Sequence, residues 1–104
     1  MSWALPWVER LKLGKTVKFR PRGSSMSGKI EDGQLVTVEP IADPRVVGIG
    51  DVVLCKVKGK FFLHLVVDNR HGMHEEFLIG NNRGFTNGWT KAKNVFGKVV
   101  RVEP

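Results

Sequence analysis

Four features of this sequence carry residue types that could do chemistry. In chain order they are a glycine-bearing serine loop at 23–26, a turn at 31–34, an apolar segment at 47–54, and His64 with the later run 80–83. Taken singly, each pattern is typical of ordinary loops and strands. Their interest lies in the combination of a serine and a histidine in one small chain.

A serine and a histidine can together perform nucleophilic catalysis. The Ser25 hydroxyl is a weak nucleophile at neutral pH and needs an adjacent base. Histidine has an ordinary pKa of about 6.5, so the neutral imidazole of His64 is available to take that proton. The loop around Gly23 and Ser24, together with the Ser25 N–H, could donate hydrogen bonds to an oxyanion, each worth about 2.7–4 kcal/mol.

The order of these features resembles one known family. Ser25-Met26 is followed by Gly33 eight residues after the serine, by Gly50-Asp51-Val52-Val53, by His64 in the next strand, and by Gly80-Asn81-Asn82-Arg83. This order is similar to that of the signal peptidase and LexA-type repressor superfamily of serine peptidases, over most of the chain. The resemblance implies an all-β fold, a barrel or sandwich of short strands, with Ser25 as nucleophile and no cofactor.

The resemblance also implies the base and the substrate. Members of the superfamily use a lysine or a histidine as base, and here the matching position carries His64, which indicates the histidine-base type. Its substrate would be a protein or peptide bound in extended form, with small side chains near the scissile bond. Lysines 56, 58 and 60 lie around the preceding turn, where solvated side chains are expected.

A third group is expected to orient the histidine. Histidine-type members carry aspartates in the later box, and the matching positions here are Asn81 and Asn87. An amide can accept a hydrogen bond from the imidazole, although it supplies no charge to the imidazolium. Asp51 and Asp68 are alternative orienting groups.

The chain is predicted to form one domain over residues 1–104, with residues 1–15 as an N-terminal extension. Alternating or β-branched segments predict strands at 16–20, 35–39, 52–57, 61–67, 77–79 and 95–102, with a hairpin turn at Lys58-Gly59. Only residues 3–13 have helical spacing, and Pro6 weakens it. Cys55, the single cysteine, lies in an apolar run and is predicted to be a buried hydrophobe.

The composition predicts a cytoplasmic protein, since no apolar run reaches the roughly 20 residues needed to cross a bilayer and no secretory signal is recognisable. The net charge is +7, and six basic residues without an intervening acid occupy positions 10–22. Such a stripe is either a solvated face or the footprint of nucleic-acid binding. His71 and His74, close to two glutamates, resemble a metal-binding cluster, but their glycine-bearing context favours an ordinary hairpin loop and no metal.

The leading hypothesis is therefore a serine endopeptidase with Ser25 as nucleophile and His64 as general base. The alternatives are an inactive member of the same fold that acts as a dimerisation or regulatory module, and a basic nucleic-acid-binding β-domain. The sequence leaves a homodimer open. A Ser25–His64 separation of about 2.6–3.5 Å favours the enzyme, and one beyond about 6 Å favours the inactive module.

Overall fold

The computed structural model describes residues 2–104, within which one α-helix and seven strands alternate with turns. Their bounds are α1 (Leu5–Lys12), β1 (Val17–Phe19), β2 (Leu35–Pro40), β3 (Val52–Val57), β4 (Lys60–Arg70), β5 (Glu76–Gly80), β6 (Thr86–Lys91) and β7 (Val95–Glu103). Two short 3₁₀ helices, Pro44–Val46 and Ala92–Asn94, complete the regular structure. The prediction of an all-β fold is confirmed.

The seven strands form one antiparallel sheet in the order β1-β2-β7-β3-β4-β5-β6. The sheet curls strongly at one end. The Thr90 hydroxyl on β6 donates a hydrogen bond of 2.7 Å to the Lys56 carbonyl on β3, although β4 and β5 lie between these strands in the sheet. This curvature brings β6 across the face of β4, close to His64.

Six strands lie where the sequence predicts them, and the Lys58-Gly59 turn is confirmed. Both turn residues have positive φ, 50° and 81°, as a two-residue hairpin turn requires. The exception is β6, which the sequence did not predict. Its Asn87 and Gly88 are poor strand formers, and Gly88 has a φ of 131°. Hydrogen-bonded pairing with β5 stabilises the strand conformation of β6, which its local sequence does not favour.

The N-terminal extension is part of the core. Pro6 lies in the first turn of α1, where a missing N–H costs nothing. Val8 and Leu11 are buried against the sheet at helical spacing. Gly97 on β7 permits this close approach, since a Cβ there would stand 3.0 Å from a Leu11 methyl carbon.

Both faces of the central sheet are covered by apolar side chains. One face packs against α1 and the loop 20–34, and the other packs against buried side chains of β5. Strand β3 therefore has buried side chains on both sides, which explains its near-continuous apolar sequence. Met26 and Ile30, which are 5% and 3% exposed, belong to the first face and anchor the serine loop.

Cys55 provides a test of this packing. The side chain is 0% exposed, and burial raises the pKa of its thiol to about 12. Because only a thiolate reacts readily, we expect no reaction with a disulfide reagent such as DTNB in the folded protein at mildly alkaline pH. The same protein unfolded in guanidinium chloride should release one equivalent of thionitrobenzoate. Rapid reaction of the folded protein would contradict the burial of β3.

Candidate active site

The segment 20–34, which contains the serine loop 23–26, is held by its own short hydrogen bonds. The Ile30 N–H donates to the Met26 carbonyl at 2.8 Å, which forms a helical turn directly after Ser25. The Gly23 N–H donates to the Asp32 carboxylate at 2.7 Å, and Gly23 has a φ of 107° that favours glycine. Because Met26 is buried, the loop is fixed to the core immediately beside the serine.

Strand β4 brings the histidine to this loop. Ser25 and His64 lie 39 residues apart in the chain, yet Ser25 Oγ and His64 Nε2 are 3.2 Å apart. Both side chains are half-buried. The His64 ring stacks on that of Phe62, with 4.9 Å between ring centroids. The separation falls within the range expected for a nucleophile and its base.

Asn87 on β6 makes the third contact. Its Oδ1 lies 2.7 Å from His64 Nδ1 and accepts the hydrogen bond of the Nδ1–H. That bond selects the tautomer in which the Nε2 lone pair faces the Ser25 hydroxyl. The three side chains thus form a continuous chain of hydrogen bonds from Ser25 through His64 to Asn87.

The environment shifts the histidine towards its neutral form. Burial is the larger cause and lowers the pKa of His64 below its ordinary 6.5. The hydrogen bond to Asn87 acts in the opposite direction and offsets part of this shift. A histidine with a lowered pKa is neutral, and hence able to accept a proton, over the whole neutral range.

The other candidate orienting groups lie elsewhere. Asn81 Oδ1 accepts from the N–H groups of Arg83 and Phe85 and so shapes the loop after β5. Asp51 accepts from the Gly48 N–H and pairs with Lys98 at 3.3 Å. Asp68 accepts from the adjacent Asn69 N–H. Of the four candidates, the structure brings only Asn87 to His64.

Asn82 connects the loop after β5 to the loop that carries Ser25, a role that the sequence did not predict. Its N–H donates to the Ser25 carbonyl at 3.1 Å, and its side-chain amide donates to the Ser27 carbonyl at 2.8 Å. Arg83 Nη1 lies 3.4 Å from Ser24 Oγ. The consecutive amides at 81–82 were the signal available in the sequence, but which loop they would contact depends on the curvature of the sheet.

The candidate oxyanion donors differ in availability. The Gly23 N–H is occupied by Asp32. Within residues 2–104 the Ser25 N–H has no hydrogen-bond acceptor, so it is free to donate to a substrate oxygen. The Ser24 hydroxyl is exposed and faces Arg83.

An open cleft of about 540 Å³ lies beside the pair, and both Ser25 and His64 line it. One wall is the stretch 61–64 of β4. This stretch pairs with β3 along one edge, whereas pairing with β5 starts only at Leu65. Among residues 2–104 no strand pairs with its other edge, which borders the cleft. Backbone groups along such an edge can pair with an added extended chain.

The histidines that resemble a metal-binding cluster in the sequence lie outside the site. His71 pairs with the Glu75 carboxylate, and residues 2–104 contain no group of three or more histidine, cysteine, aspartate or glutamate side chains placed to hold a metal ion.

Arg10 and Lys12 of the basic stripe lie over aromatic rings. Arg20 donates to the Gly33 carbonyl, and Arg22 pairs with Asp32. Over the same described residues, no helix has both the length and the apolar character to cross a membrane.

Comparison with models of known protein families found no match to this chain, and comparison with curated protein sequences found no similar protein. The geometry of the site therefore has to support any functional assignment.

Proposed function

We propose that this protein is a serine endopeptidase in which Ser25 is the nucleophile and His64 the general base. The observation that carries the proposal is the hydrogen-bonded chain from Ser25 through His64 to Asn87. A nucleophile in contact with a base that a third group orients is the arrangement that serine catalysis requires. The ordered sequence features that resemble signal peptidases and LexA-type proteins support the same assignment.

The proposed reaction proceeds through an acyl-enzyme. The Ser25 oxygen bonds to the scissile carbonyl carbon while its proton passes to His64 Nε2, and the Ser25 N–H donates to the developing oxyanion. His64 then gives the proton to the leaving amine as the C–N bond breaks. A water molecule, deprotonated by His64, adds to the ester carbon, and Ser25 leaves with the returning proton. Asn87 accepts from Nδ1–H throughout and keeps the ring in place.

The unpaired edge of β4 supports a peptide as the substrate. An extended segment bound along residues 61–64 would pass beside Ser25, since both line the same cleft. Main-chain hydrogen bonds to that edge would supply affinity that is independent of sequence.

A cytoplasmic location is also part of the proposal. The single buried cysteine, which cannot form an intrachain disulfide, fits a reducing compartment.

Labelling with a fluorophosphonate probe tests the assignment. We expect wild-type protein to be labelled at Ser25 and the variant Ser25→Ala not to be labelled, as measured by mass spectrometry of the tryptic peptides. Ser24→Ala is the matched control, because it removes the neighbouring exposed hydroxyl and leaves Ser25 in place. Wild-type protein that is not labelled, or Ser25→Ala that is labelled equally well, would overturn the proposal and favour the inactive module.

A further inference from the structure

One wall of the cleft is built from aromatic rings that the N-terminal segment contributes. Trp3 and Trp7 line the cleft together with Phe19 of β1. The Trp7 ring stacks on Phe19, with 5.2 Å between centroids and an interplanar angle of 12°. The centroid of the Trp3 ring lies 6.1 Å from that of Phe19, and Trp3 is 50% exposed. Phe61 and Phe62 of β4 also line the cleft.

Trp7 is held in position by the helix that carries it. Val8 and Leu11 of α1 are buried in the core, and Gly97 lets the helix lie close to the sheet. The helix therefore holds Trp7 at one side of the cleft. An aromatic side chain that is exposed to water in a concave site, and is already rigid, loses little entropy when a ligand covers it.

The lining of the cleft favours a larger apolar group than an alanine side chain. The cleft, of about 540 Å³, has room for a stretch of peptide main chain together with its side chains. An alanine side chain would contact little of the ring surface of Trp3, Trp7 and Phe19, whereas a leucine or phenylalanine side chain would contact more of it. The cleft is continuous with the Ser25–His64 pair, so the group that fills it belongs to the peptide that the pair attacks.

We propose that Trp3 and Trp7 form a subsite that binds a large apolar side chain of the substrate, close to the scissile bond. This inference rests on the proposed peptidase function, and it replaces the small-residue preference that the family resemblance implies. The N-terminal segment is then a specificity element as well as part of the core. Leucine, methionine and phenylalanine are the side chains that the subsite would take.

Binding to an inactive variant tests the subsite separately from catalysis. The probes are fluorescein-labelled, N-acetylated octapeptides of alanine and glutamine, in which alanine, leucine or phenylalanine occupies each position in turn. Fluorescence anisotropy measures their dissociation constants with the variant Ser25→Ala. We expect leucine or phenylalanine at one position to tighten binding by at least about 10-fold relative to alanine.

Variants of Trp3 and Trp7 measure how much each ring contributes to the preference for a large apolar side chain. In the Ser25→Ala background, Trp3→Ala should remove most of this preference. The Trp3 ring is half-exposed, so we expect this variant to fold. Trp7→Ala should do the same, with protection of Cys55 from DTNB as the check that the variant is folded. Trp89→Ala is the matched control, because its ring lies under the Arg70 guanidinium, outside the cleft. It should leave the preference unchanged.

The two proposals fail in different ways. Equal affinity for alanine, leucine and phenylalanine at every position, or a preference that survives both Trp3→Ala and Trp7→Ala, would overturn the subsite. Selective binding by Ser25→Ala together with no fluorophosphonate labelling of the wild-type protein would overturn the peptidase assignment and leave the subsite standing.

Discussion

Replacement of His64 by alanine is expected to lower kcat/KM for peptide cleavage by about 10²–10⁴-fold, the range that general-base catalysis contributes. Ser25 Oγ has its 3.2 Å contact with His64 Nε2, and without the imidazole its proton must pass to water. The rate of fluorophosphonate labelling at Ser25 should fall as well, because labelling needs the same activated hydroxyl. Both rates can be measured on the same preparations of wild-type and variant protein.

His71→Ala provides the matched control for this experiment. His71 lies in the exposed turn after β4, where it pairs with Glu75, and its loss should leave both rates unchanged. An unaltered labelling rate in folded His64→Ala would show that another group takes the proton. The lysines of the β3–β4 hairpin would then be the groups to test, since the superfamily that the sequence resembles includes lysine-base members.

Asn87→Asp is expected to move the acid limb of the pH profile of kcat/KM to higher pH. Catalysis needs neutral His64, so activity rises as the pH increases through the pKa of this residue. Burial lowers that pKa in the wild-type protein, and its acid limb should therefore lie below pH 6.5. A carboxylate 2.7 Å from Nδ1 would stabilise the imidazolium and raise the pKa.

Asn87→Asp should also raise activity at the plateau of the pH profile. The carboxylate of Asn87→Asp would stabilise the imidazolium that forms in the transition state, so kcat should rise. Asn87→Leu, of similar size but with no acceptor, should lower kcat by about 10²-fold because the ring is no longer held in the productive orientation. Asn81→Asp is the control and should leave the acid limb in place, since Asn81 contacts the loop after β5. An acid limb that Asn87→Asp does not shift would remove Asn87 from the orienting role.

The sequence was sufficient for six of the seven strands, which local patterns mark, and the resemblance to a known family indicated the two residues that meet at the site. Alternation and β-branched residues marked β1 to β5 and β7, and the order of the serine and histidine segments indicated the pair. It could not separate Asn81 from Asn87 as the orienting group. Both are amides near the end of the same hairpin, and only the curvature that brings β6 over β4 distinguishes them.

The strand β6 and the helix α1 depend on tertiary contacts that cannot be predicted from local sequence patterns. The strand β6 contains Asn87 and Gly88, so its strand conformation depends on pairing with β5. The helix α1 has weak amphipathic spacing and a proline, and it is stabilised by burial against Gly97 on the sheet. The aromatic wall could not be predicted for the same reason, since Trp3 and Trp7 acquire their place only when α1 packs.

The strand edge at 61–64 limits the set of proteins that the proposed peptidase would cut. The interior strands of a folded sheet already have partners on both sides, and a helix has its backbone groups paired internally. Neither can pair with β4 without first unfolding, which costs several kcal/mol in a stable domain. Cleavage would therefore be confined to tails, linkers and chains that have not yet folded. A substrate could be cut only before it folds, and folding would end its exposure to the proposed peptidase.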